Sequence, residues 1–114
     1  AENEKLRRNL EFERLRVRIQ NGFREVADGL ALSATLAEQR SAMEALVEAA
    51  QKAHDLSQAR YDAGMDSFLV LLDARRSLYS ARQALVQVQL AEQANRIGLY
   101  KALGGGWVQG GVTP

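Results

Sequence analysis

Asp73 and Arg76 stand three positions apart in a stretch rich in helix formers. A helix would bring carboxylate and guanidinium onto one side, where they can pair. As an ordinary exposed pair they would add about 0.2–0.5 kcal/mol of local support. Other residues with reactive side chains offer less. His54 is the only histidine and cysteine is absent. No set of imidazoles and thiolates is therefore available to hold a transition metal, and a surface position on a helix is expected for His54. Glu44, Glu48 and Asp55 are acids with no cleft around them to shift their proton affinity, so general acid–base work has no support. Neither a glycine-rich phosphate loop nor a nucleophile motif occurs. The side chains point to contact between helices and not to catalysis: no enzyme, no cofactor and no metal is expected.

The elements that must carry these residues are helices. The chain has 114 residues, enough for one small domain, with 46 % hydrophobic and 25 % charged residues. Its single proline is Pro114, so nothing earlier removes a backbone donor. The first helical segment runs from about 2 to 61. Leu15, Ile19, Phe23, Val26, Leu30, Leu36, Met43 and Ala50 recur along it at helical spacing. Gly22 and Gly29 interrupt it, each at a cost of about 1 kcal/mol relative to alanine. They lie seven apart on one face, which fits either close approach of a neighbouring backbone or two tolerated glycines.

The break spans 62–67. Gly64 suits the left-handed residue that ends a helix, and Asp66 and Ser67 both suit the cap of the next. A connection this short implies antiparallel neighbours. The second helix is expected over 68–103 and carries two adjacent seven-residue stripes, Leu71, Leu78, Leu85 and Leu72, Tyr79, Val86, continued by Leu90, Ile97 and Leu103. Two stripes make a face wider than a two-stranded seam and predict contact with more than one neighbouring helix. Gly104, Gly105 and Gly106 are expected to stop the helix, leaving a glycine-rich tail over 104–114 in which Trp107 could anchor against the helices. The fold class is therefore an all-α, long antiparallel hairpin resembling a coiled coil.

The two helices are unequal. At about 1.5 Å per residue the first measures ~90 Å and the second ~55 Å. The second covers the first only from about Ala27 onward. Leu6, Leu10, Phe12, Leu15, Ile19 and Phe23 then have no partner in the hairpin and require another chain or further parts of a parent protein. Arg7, Arg8, Arg14, Arg16 and Arg18 alternate with Glu4, Glu11 and Glu13 in the same region. With a net charge of +1 this is a solvated mixed face, and no nucleic-acid partner is expected. The charged opening Ala1-Glu2-Asn3-Glu4-Lys5 is not a signal peptide, and no stretch reaches the roughly 20 apolar residues of a membrane-spanning helix. The chain is either soluble or a piece of something larger.

Three stretches resemble the TolC/OprM family of outer-membrane efflux proteins. They are Phe23-Arg24-Glu25-Val26-Ala27-Asp28-Gly29-Leu30; Arg60-Tyr61-Asp62-Ala63-Gly64 with Leu71-Leu72-Asp73-Ala74-Arg75-Arg76-Ser77-Leu78; and Leu99-Tyr100-Lys101-Ala102-Leu103-Gly104-Gly105-Gly106-Trp107. Together they cover almost the whole chain in the family's order, and the glycine run before tryptophan is similar to the OprM-like branch. The resemblance implies a homotrimeric tunnel of a Gram-negative bacterium, with a β-barrel in the outer membrane and an α-barrel across the periplasm. This chain would be its last periplasmic hairpin. Ala63, Gly64 and Met65 would form the tip that docks the hairpin of a periplasmic adaptor protein and, through it, an inner-membrane pump, in drug efflux or type I secretion. Tyr61, Asp73 and Arg76 would lie near the closed aperture, which opens as the helices move outward.

Departures from the pattern narrow these expectations. No barrel strand is present, so the chain alone cannot make a pore. Val70 stands where some members carry a second carboxylate, and Asp66 stands where TolC has a basic residue. Tyr61 could equally cap the apolar face beside the turn, and Met65 and Phe68 could serve local packing; an exposed Met65 would favour docking. The alternative function, from another class, is a structural or interaction coiled-coil hairpin with no transport role.

Overall fold

A computed structural model describes the backbone of residues 1–110 and the side chains through Gly104. Residues 111–114 and the Trp107 side chain lie outside the described residues, and with them the expected anchoring role. Two helices are present, α1 over Glu2–Asp62 and α2 over Phe68–Gly110, and no strand occurs among the described residues. Alanine, leucine, glutamate, arginine and glutamine fill α1, and none of these opposes a helix. Glu2 and Glu4 in its first turn and Arg60 in its last complement the helix dipole. No described helix is long and apolar enough to cross a membrane.

The helical hairpin divides into two compact units, 34–93 and Ala1–Ser33 with the residues from Ala94 on. In the first unit the helices pair through a heptad seam. Leu36 is buried on α1, with Met43 and Ala50 half-buried at seven-residue steps below it. Leu71, Leu78 and Ala81 are buried on α2, and Leu71 is only 1 % exposed. Positions 74, 85, 88 and 92 on α2 are half-buried, which completes the alternation of three- and four-residue steps that a coiled coil requires.

Polar ties flank the seam. The Arg40 guanidinium meets Glu92 at 2.8 Å and Glu44 at 3.0 Å. Arg82 donates to the Gln51 amide oxygen at 2.7 Å and Arg75 to that of Gln58 at 3.3 Å. The α2 partner falls in number as the α1 residue rises, so the helices are antiparallel. Gln51 in turn donates to Asp55 and Gln58 to Asp62, each at 3.0 Å. The same arginine–glutamine–aspartate chain thus recurs one heptad apart. The first stripe read from the sequence, Leu71–Leu78–Leu85, belongs to the seam. The second turns outward: Leu72 is half-buried, while Tyr79 and Val86 are exposed, as are Leu90 and Ile97, which continue the apolar surface.

The other unit joins its two segments at Gly29. A side chain there would collide with Leu99, whose Cγ lies 2.8 Å from where a β-carbon would sit. Asn95 donates its amide to the Gly29 carbonyl at 3.0 Å. Gly29 therefore makes close approach possible, to a leucine side chain and not to a backbone. Gly22 has nothing within 4 Å and is a tolerated glycine. Residues 1–21 are all exposed, including Leu6, Leu10, Phe12, Leu15, Val17 and Ile19.

Two expectations need correction. The helix does not stop at Leu103: α2 continues through Gly104–Gly106 to Gly110. Each glycine weakens a helix but only a competing set of backbone partners ends one, and no proline intervenes. His54 is half-buried and not fully on the surface. Its side chain is 20 % exposed because it lies on the seam-facing side of α1, with Nδ1 3.3 Å from the Asp55 carboxylate. The Gln51 amide, and secondarily His54, hold the Asp55 carboxyl below its ordinary range.

Candidate docking tip and aperture face

The tip is built by the way α1 ends. Gly64 has φ of +75°, the only positive φ among the described residues. That turn of the backbone lets the Gly64 amide donate to the Tyr61 carbonyl at 2.9 Å and the Met65 amide to the Arg60 carbonyl at 2.8 Å. These are the two bonds of a Schellman termination, and they satisfy carbonyls that the end of the helix would leave open. An L-residue with a β-carbon takes this conformation only at a cost of roughly 1–2 kcal/mol, so glycine is dictated by backbone geometry.

Beyond the glycine the chain re-enters a helix at Ser67, whose carbonyl accepts from the Leu71 amide at 3.5 Å. Asp66, one of the two expected caps, has a different use. Its carboxylate receives two bonds from the Arg60 guanidinium, at 2.7 and 3.4 Å. Asp66 in return raises the proton affinity of Arg60 further above its ordinary value, first through the hydrogen bond and then through charge attraction. The Tyr61 and Phe68 rings meet edge to face across the turn, with centroids 5.8 Å apart. This is the local packing use of Tyr61 and Phe68.

Ala63, Gly64 and Met65 are held through their backbone amides, and no side-chain tie involves them. All three are exposed, Met65 by 67 %. Apart from its two chain neighbours, nothing lies within 4 Å of where a Gly64 side chain would begin. Leu69 beside them is 74 % exposed. The three residues make an uncharged, exposed knob in which two small residues precede the Met65 side chain.

Asp73 and Arg76 are exposed on α2, a turn or two from the tip. They do not pair with each other, and among the described residues neither has a side-chain partner in this chain. Val70, the uncharged replacement, is 46 % exposed on the same stretch. The Asp73 carboxylate and the Arg76 guanidinium are therefore open to partners from outside this chain. Tyr61 packs its ring on Phe68. Among the described residues no cluster of acids, histidines or cysteines could hold a metal. Arg60 and Asp66 were not singled out as a pair from the sequence; an opposite-charge pair bracketing a turn glycine was the available signal.

The outer membrane efflux protein family matches residues 3–105 of the chain. The solvent efflux pump outer membrane protein SrpC of Pseudomonas putida is 46 % identical over 90 % of this chain and 24 % of its own length. The antibiotic efflux pump outer membrane protein ArpC of Pseudomonas putida is 43 % identical over 92 % of the chain and 22 % of its own length. The cation efflux system protein CusC of Escherichia coli O157:H7 is 46 % identical over 81 % and 20 %. The chain spans about a quarter of the length of the curated relatives it matches.

Proposed function

We propose, for a chain that belongs to the outer membrane efflux protein family, that its hairpin is a periplasmic stave of an efflux tunnel and the docking point for an adaptor protein. Three copies of the parent protein would close the tunnel, and the adaptor would link it to an inner-membrane pump. The role is passive conduction and attachment, without enzymatic chemistry. The family match carries the transport part of this reading. The exposed Ala63–Gly64–Met65 knob carries the docking part.

The outward-facing stripe of Tyr79, Val86, Leu90 and Ile97 and the uncovered apolar residues of 1–21 support burial against other helices of the parent. An isolated coiled-coil hairpin would hold those side chains in water, so no observation favours the structural alternative.

Asp73 and Arg76 would hold the aperture closed by pairing with groups on neighbouring helices, since each lacks a side-chain partner within this chain. Asp73→Ala combined with Arg76→Ala in the full-length parent should raise single-channel conductance in planar bilayers. A closed state of unchanged conductance would remove both residues from the aperture.

A further inference from the structure

Arg60 is tied to both residues that follow the turn glycine. Its carbonyl accepts from the Met65 amide at 2.8 Å, and its guanidinium holds the Asp66 carboxylate through two bonds, the shorter 2.7 Å. The Asp66 side chain is 20 % exposed, the Arg60 side chain 47 %. The pair spans six positions, bridging the last turn of α1 to the residue before the α2 cap. It is the one ion pair of the turn among the described residues.

This pair is poorly placed to hold the hairpin together. That work falls to Leu36, Leu71, Leu78 and Ala81, which exclude water along the seam. A solvent-reached ion pair adds little to such a core. It is well placed to restrict 63–67, which have no buried side chain of their own. Without it, Gly64 and Met65 keep only the backbone bonds that any Schellman turn would make.

We infer that Arg60 and Asp66 are positioning residues: their ion pair fixes Ala63–Gly64–Met65 in the one shape that a docking partner meets. The inference rests on the docking reading above. A tip frozen before contact spares its partner the cost of ordering it, so the pair acts on affinity and not on folding. For a clamp of this kind the two charges need only be opposite, whichever residue carries which.

The test uses the full-length parent trimer and the purified adaptor of the same pump as the probe, with affinity read at fixed ionic strength. Arg60→Asp and Asp66→Arg should each weaken binding about tenfold with the trimer's melting temperature unchanged. The double reversal, Arg60→Asp with Asp66→Arg, should restore affinity to within about twofold. Single variants that bind like the parent, or a double reversal as weak as the singles, would overturn the inference. Gly64→Trp serves as the separate control. If it abolishes binding while the charge variants do nothing, docking stands and the clamp fails; if it binds normally, the docking reading fails and the clamp with it.

Discussion

Gly64→Trp should abolish export by the full-length parent while its trimer still assembles. Two effects converge at this position. The backbone φ of +75° makes any L-side chain costly by roughly 1–2 kcal/mol, so the termination loosens or shifts. The indole would also stand on the exposed knob, where a partner backbone must come close. Apart from its two chain neighbours nothing lies within 4 Å of where the β-carbon would sit, and the site is outside the buried seam, so α1 and α2 are expected to stay paired. Efflux measured as drug susceptibility, with trimer quantified by native electrophoresis, separates the outcomes. Wild-type export from correctly assembled Gly64→Trp trimer would count against docking at the tip. Gly64→Ala isolates the strain component, and export reduced but present is expected for it.

Leu71→Ala should destabilise the hairpin by about 2–5 kcal/mol, the range for large-to-small changes in a packed core. Leu71 is the most deeply buried side chain described, and it lies three positions from the start of α2. A cavity there would open the seam next to the turn, where a hairpin first closes. Tyr79→Ala provides the contrast. Tyr79 is 67 % exposed, and away from a packed interior a substitution changes stability by about 0.5 kcal/mol or less. Urea unfolding of the 114-residue chain, followed by helical circular dichroism, should therefore show a large loss for Leu71→Ala and almost none for Tyr79→Ala. Equal losses would mean that the stripe holding Tyr79 is buried within this chain.

Helix, turn and helix were legible because each depends on local chemistry. The absence of interior proline, the heptad of Leu71, Leu78 and Leu85, and Gly64 before two capping residues leave the backbone few alternatives. The exposed overhang was legible from length alone. What escaped was set by neighbours across the seam. Ala81 is buried because α1 comes close, and alanine carries no apolar signal strong enough to predict that. Gly29 could be read as tolerated or as a contact until Leu99 was found against it. His54 turns inward on the same seam.

The end of α2 departs from the expected stop at Leu103 for a different reason. Glycine-rich runs are permissive, and permission to break a helix is not a requirement to break it. In the candidate site, the sequence pointed to Gly64 through backbone need and to Asp73 and Arg76 through resemblance. The Arg60–Asp66 pair was hidden because Asp66 offers two competing uses, a helix cap and an ion-pair partner. The carboxylate went to the guanidinium, and Ser67 was left at the start of α2.

The central claim is that the exposed tip meets another protein, and Met65 is the residue that meets it most openly. A photoreactive amino acid at position 65 of the full-length parent, irradiated in cells, reads this contact directly. An adduct between the channel and its adaptor protein is expected, lost when the adaptor is deleted, with no such adduct from the same probe at position 38, in mid-helix. Absence of an adaptor adduct at 65 in a pump that exports normally would contradict it.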